Sequence, residues 1–321
     1  MLEQDSSGGL AIGGLVLAGM IALVGSACST DQDAAENGGG VLVVATTTML
    51  GDVARHVVGD AGVVETLIPV GVDPHDFRPS AKQAARMYAA DLVVANGLGL
   101  EEGLSDVLDG AVEDGVDVVE VAPLLDPLPF GTEDGAATAH DLDPHVWLDP
   151  LRMARAADVI ASELGAVDGS PTWAVNAETY AVELLATDDE IRSILEVVPA
   201  EARKLVTNHD ALGYFATRYA LDVVGVVIPG GSTLADPSSA ELAQLVAVIE
   251  EDQVRAIFAD TNDPAVLAVA VASAAGTDVT VVELYIGSLG EPGSGADSLI
   301  GMLLTNARRV AAALSAQGPS K

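Results

Sequence analysis

The 321 residues contain one cysteine, Cys28. No intramolecular disulfide can form, and a metal site that needs two or more thiolates from one chain is excluded. Basic residues are also scarce: 14 Lys plus Arg stand against 48 Asp plus Glu, for a formal net charge of -34. Nucleic acid and acidic membrane surfaces both demand clustered cations, so the charge argues against either as a partner. It suits cationic ligands, although an acidic surface also simply keeps a protein soluble. Charged residues together make up only 19% of the chain, while hydrophobic residues make up 50%. Such a chain buries a large core and is not disordered. Its length accommodates two lobes of ordinary domain size.

From Ser6 to Thr30 no residue is charged, and residues 10–24 form an apolar run of signal-peptide length broken by Gly13, Gly14 and Gly19. Gly25, Ser26 and Ala27 lead to Cys28, after which the chain turns polar and then Gly-rich at Gly38 to Gly40. An uncleaved membrane anchor and a buried core helix are alternatives; the glycines and the missing amphipathic pattern weigh against the second. The segment resembles a bacterial lipoprotein signal. That resemblance implies removal of residues 1–27, acylation of Cys28, and a flexible tether over 28–40. Glu3 and Asp5 stand where such leaders carry Lys or Arg, and Gly25 stands where a larger aliphatic is usual.

Short β-branched runs recur at 41–45, 63–68, 91–95 and 116–121, each followed by turn residues or a helical pattern. A second series lies at 204–207, 221–228, 256–258 and 279–284. Continuous Val-rich strands alternating with helices indicate parallel sheets covered on both faces, so the chain is expected to be α/β with two similar lobes. Asp149 and Pro150 cap a helix with Met153, Ala156, Ala157, Ile160 and Leu164 on one face and Gly165 placed to end it. Ser238 and Glu241 have capping-box spacing, and Asp263 with Pro264 opens a further helix. Between the two series, Ser170 and Pro171 open a long pattern that places Trp173, Ala177, Tyr180, Leu184, Ile191, Leu195 and Val198 on one stripe before Pro199. It would extend roughly 40 Å and could tie the lobes together stiffly, or be an ordinary core helix. No internal repeat is evident; the two Asp-Pro-His triplets have different surroundings.

Three of the five histidines occupy suggestive positions. His75 lies past the strand ending near Ile68, His145 lies immediately ahead of a helix, and His209 follows the strand 204–207. Ligands of open α/β sheets bind outside the carboxyl ends of strands, which points His75 and His209 at that face. Neutral imidazoles suit zinc and other first-row metals, and the neighbouring Asp73, Asp76, Asp143 and Asp210 could accept a ring N–H or add negative potential. Taken singly, each histidine reads as a turn or capping residue before it reads as a ligand, and there is no HxH or HExxH motif.

The motifs as a set resemble a known family. Residues 73–80 (DPHDFRPS) and 90–101 (ADLVVANGLGLE), the run 143–150 (DPHVWLDP), and His209 to Phe215 with Ile228-Pro229-Gly230 and Asp236-Pro237-Ser238 look like the zinc/manganese-binding lipoproteins of ABC transporters. The similarity spreads from about Val41 to Leu314. It implies two α/β lobes, 41–168 and 200–321, each with a mainly parallel sheet flanked by helices, joined by one long rigid helix over 169–199. It further implies His75 and His145 as metal ligands from the first lobe and His209 from the second. The cargo is expected to be Zn2+, with Mn2+ the alternative, because manganese-type members often carry a carboxylate at the third position. Members commonly place a metal-binding Asp where this chain has Gly287. Water, Glu291, Asp297 or a residue of the docked transporter remain open as the fourth ligand. Asp260 matches a usually acidic position, His140 lies in a loop where zinc-uptake members often carry many histidines, and His56 reads as structural.

The expected protein is a monomeric, lipid-anchored receptor on the outer face of the cytoplasmic membrane. It would deliver Zn2+ to an ABC permease and its ATPase, and it would lose affinity below about pH 6, near the free imidazole pKa. A zinc-dependent hydrolase, with Asp76 or Asp210 as base, is the enzyme alternative. No substrate-pocket motif, GxSxG elbow or phosphate loop supports it, and no added adhesive module supports a surface adhesin.

Overall fold

The Val-rich runs build two parallel sheets. In this computed structural model the described residues are 40–130, 142–230, 233, 237–262, 265–276 and 279–315. The expected signal, Cys28, nearly all of the tether, His140, Asp236 and the Asp263-Pro264 helix start lie outside them. The first sheet contains β1 (Val41–Ala45), β2 (Gly62–Thr66), β3 (Leu92–Ala95) and β4 (Val118–Glu120) in the order β2-β1-β3-β4. The second contains β5 (Lys204–His209), β6 (Asp222–Ile228), β7 (Ala256–Asp260) and β8 (Thr280–Leu284) in the order β6-β5-β7-β8. Every pairing is parallel. The central strands β1, β3 and β7 are buried at every residue, which is why their sequences are uninterrupted apolar runs instead of alternating ones.

Several boundaries differ from expectation. Strand β2 ends at Thr66, β4 spans only Val118–Glu120, and the long helix ends at Leu195, ahead of Val198. Two further differences bear on the site and its flanking helix. Strand β5 runs two residues further, so His209 does not follow the strand but is its last residue, paired with Ile228. Helix α4 (Pro150–Asp168) passes through Gly165 and ends at Gly169. Gly169 takes φ 71°, the left-handed conformation that a C-terminal glycine adopts without strain, whereas Gly165 stays helical. The caps at the other ends are as expected. The Asp149 side chain accepts from Leu151 N, and both halves of the Ser238–Glu241 box are formed ahead of α7 (Ser239–Glu251).

The long helix is α5 (Thr172–Leu195), 24 residues and therefore roughly 36 Å. Its stripe Trp173, Ala177, Tyr180, Leu184, Ile191 and Leu195 is buried. It packs against α1 (Thr48–Val58) and α4 of the first lobe and against α9 (Leu299–Ser315), which follows the second sheet. The Tyr180 hydroxyl donates to the Asp52 carboxylate at 2.8 Å, and Asp52 also accepts the Leu299 N–H at 3.2 Å. The segment between β8 and α9 is bonded repeatedly to the first lobe: Gly71 N donates to Ser288 Oγ at 3.0 Å and Leu289 N to Thr48 Oγ1 at 2.9 Å. Among the described residues no helix is long and apolar enough to cross a membrane.

Candidate metal centre

Each of the three histidines is fixed by its own local chemistry. Asp73 accepts the His75 backbone N–H at 2.9 Å and the Thr233 hydroxyl at 2.5 Å, so this carboxylate shapes the turn and leaves the His75 ring free. Asp143 does more. Its Oδ1 takes the His145 backbone N–H at 2.8 Å and sits 2.7 Å from ring Nδ1. At His209 the carbonyl accepts from the Thr207 hydroxyl at 2.7 Å and from Ala211 N at 2.9 Å, holding the end of β5 in a tight turn.

The rings converge. Their centroids lie 5.6 Å (75 to 145), 6.1 Å (75 to 209) and 5.2 Å (145 to 209) apart, and one ring nitrogen from each falls within 4.8 Å of the others. All three are buried, with exposures of 4%, 1% and 1%. His75 Nε2, His145 Nε2 and His209 Nδ1 have no hydrogen-bond partner in the protein. Buried polar nitrogens are nearly always satisfied, so three together without partners indicate a ligand that supplies the missing interaction. Neutral nitrogen donors fit a first-row transition metal and do not suit a hard ion such as Ca2+.

Burial also sets the charge state. It lowers His75 to about 4, with neighbouring His145 adding to the effect and Asp73 opposing it. Burial takes His145 to about 3, and it brings His209 well below the ordinary value. The rings are therefore unprotonated and ready to coordinate at neutral pH. The same burial pushes the Asp143 carboxyl up to about 8 and Asp210 up to about 6.

Among the described residues no carboxylate joins the histidine cluster. Glu291, Asp297 and Asp76 are exposed, and Asp297 accepts from Gly293 N at 2.9 Å. Asp260 is buried but spent on backbone, accepting from Gly287 N at 2.9 Å, Asn262 N at 3.1 Å and Ile286 N at 3.4 Å. A Cβ at Gly287 would lie 3.0 Å from Asp260 Oδ2 and 3.3 Å from Pro74 Cδ, beside the His75 turn. His56 is away from the cluster, stacked on Tyr180 at 3.8 Å.

A buried acid behind the site fixes its floor. Glu101 accepts from the Thr46 hydroxyl at 2.6 Å, Asn96 N at 2.7 Å and Gly97 N at 3.1 Å. Asn96 Nδ2 in turn donates to Pro144 O at 3.0 Å, next to His145. Glu101→Ala strands three buried donors at once and is expected to cost about 3 kcal/mol of stability, read by chemical denaturation of the metal-free protein. A loss under about 0.5 kcal/mol would show that water replaces the carboxylate. Two further residues lie within the 143–150 and 209–215 motifs but receive no role from the sequence. Trp147 meets the His145 ring edge-on at 5.2 Å, and Tyr214 donates to Asp143 O at 2.7 Å. In sequence both look like ordinary core aromatics.

Likeness to known proteins is consistent along the chain. The family described as "Zinc-uptake complex component A periplasmic" matches residues 43–313. The manganese-binding lipoprotein MntA of Halalkalibacterium halodurans is 31% identical over 92% of this chain and 96% of its own. The zinc-binding lipoprotein AdcA of Streptococcus pneumoniae is 29% identical over 95% of this chain, which spans 62% of AdcA. Among solved structures, the periplasmic zinc-binding protein TroA from Treponema pallidum superimposes with a TM-score of 0.79 at 27% identity, over 87% of this chain and 100% of its own.

Proposed function

The chain belongs to the ZnuA family of zinc-uptake complex components, and we propose that it is the extracytoplasmic metal-binding component of an ABC transporter. In this reading Cys28 carries the lipid anchor. Lobes 41–168 and 200–321 are linked stiffly by 169–199, and His75, His145 and His209 hold one Zn2+ for delivery to a membrane permease and its ATPase. The observation that carries it is the meeting of three buried histidine rings from both lobes, one nitrogen of each within 4.8 Å of the others, with an unpartnered nitrogen on every ring. Relatives named for manganese and for zinc are similarly close, so the choice of zinc rests on the donor set. Nitrogen sites bind Mn2+ most weakly of the first-row divalent ions and Zn2+ far better. The near-complete burial of the rings speaks for a cargo site over a zinc hydrolase, whose substrate needs access to the metal.

Elemental analysis of protein purified without added metal, followed by competition between the two ions, tests the choice. Zinc is expected to displace manganese from an equimolar mixture. Retention of manganese under those conditions would overturn the zinc assignment. Undiminished binding of either ion after all three histidines become Ala would overturn the ligand assignment.

A further inference from the structure

His145 belongs by chain order to the first lobe, between β4 and α4, yet its surroundings tie it to the second. Two hydrogen bonds bracket it, two residues to either side. On one side the Tyr214 hydroxyl, from α6 (Gly213–Tyr219) of the second lobe, donates to the Asp143 carbonyl at 2.7 Å and accepts the Leu128 N–H at 3.0 Å. The Asp143 carboxylate in turn lies 2.7 Å from His145 Nδ1. On the other side Trp147, packed edge-on against the His145 ring, donates from Nε1 to the Ile286 carbonyl at 2.8 Å, just past β8. Both aromatic residues are 1% exposed. His75 differs: the second lobe reaches its turn through Thr233 and Asp73, and that contact ends on the backbone N–H, not on the ring.

We propose that Tyr214 and Trp147 are positioning residues through which the second lobe sets the orientation of the His145 ring, so that separating the lobes turns this ligand away from the metal. The inference rests on the ligand assignment above. It makes the His145 ring, as well as the second lobe's own His209, respond to lobe movement. The ion would then leave by loss of one oriented imidazole, without the whole cleft having to gape. A stiff linking helix permits only small displacements, and hydrogen bonds of 2.7 and 2.8 Å at neighbouring residues break under such displacements.

Tyr214→Phe and Trp147→Phe each remove one hydrogen bond and keep an aromatic ring. Zinc dissociation, followed by transfer to excess chromogenic chelator, should accelerate about 10-fold or more in each, the size expected when a group that orients a ligand is lost. The visible spectrum of the Co2+-loaded protein should shift as the His145 ring reorients, while association changes little. Tyr180→Phe is the control. It removes a hydrogen bond of similar length between α5 and Asp52, and should leave both the dissociation rate and the Co2+ spectrum at the wild-type values. Wild-type rates and spectra in both Phe variants, with zinc lost in His145→Ala, would overturn the positioning role and spare the metal site. Zinc retained at full affinity in His145→Ala would overturn the inference together with the ligand assignment.

Discussion

Between about pH 5 and about pH 8, zinc binding should release close to one proton per ion, and the apparent affinity should rise about tenfold per pH unit. The three imidazoles are not the source. Burial holds His75 near 4 and His145 near 3, and takes His209 well below its usual range, so all three are already neutral in the metal-free protein. The titrating group is Asp143, which burial pushes up to about 8 and which faces His145 Nδ1 at 2.7 Å. A metal on His145 Nε2 leaves the ring proton on Nδ1, and the acceptor facing it here is the Asp143 carboxyl at 2.7 Å. The charged carboxylate accepts that N–H more strongly than the neutral acid does, so metal binding favours departure of the Asp143 proton. The sign follows from which form binds: the binding-competent form is the deprotonated carboxylate, whose population falls tenfold per unit below about pH 8. Affinity is then lost as pH falls through this window and levels off above it. The ordinary imidazole value places the loss below about pH 6; desolvation lowers the histidines out of that range and raises the neighbouring carboxyl above it. Calorimetry in buffers of different ionisation enthalpy measures the released proton directly. Asp143→Asn should abolish the release and flatten the profile. A flat profile in the unaltered protein would end the argument.

The strands were legible because most carry a short run of β-branched or other apolar residues, and in β1 and β3 burial of every residue leaves no other pattern. Capping residues were legible for the same local reason: Asp149 and Ser238 act on N–H groups two or three residues away. Gly165 misled because a helix interior tolerates glycine, and only the backbone angle distinguishes it from Gly169. The site divides along the same line. That three histidines end in loops or at a strand end could be read from their neighbours, while their meeting depends on two sheets and a long helix. The two Asp-Pro-His triplets make the point most clearly. Asp73 and Asp143 stand at the same spacing from a histidine and each takes its backbone N–H on Oδ1, yet only Asp143 Oδ1 also reaches the ring, while Asp73 is engaged by Thr233 through Oδ2. Trp147 and Tyr214 lie inside the 143–150 and 209–215 motifs, but their bonding roles have no local signal, since their hydrogen-bond acceptors lie 139 and 71 residues away.

Replacing His209 by Ala should lower zinc affinity by about 100- to 1,000-fold, because a zinc site worth roughly 10–16 kcal/mol spread over about four ligands loses roughly 3–4 kcal/mol with each. The metal-free protein should hardly notice. His209 Nδ1 is buried without a partner, so the substitution removes an unsatisfied polar atom along with some packing, and the two terms offset one another. The expected signature is therefore a split. The melting temperature of the metal-free variant stays within about 4 °C of the wild-type value, while the rise in melting temperature on adding zinc largely disappears. His56→Ala supplies the contrast, since that ring stacks on Tyr180 at 3.8 Å and contributes no nitrogen to the cluster. It should cost stability and leave the zinc response intact. If His209→Ala instead unfolds the metal-free chain, the ring serves the core and not the ion. If it keeps the full zinc response, the second lobe contributes nothing to the site, and the two sheets have no functional reason to meet at these three rings.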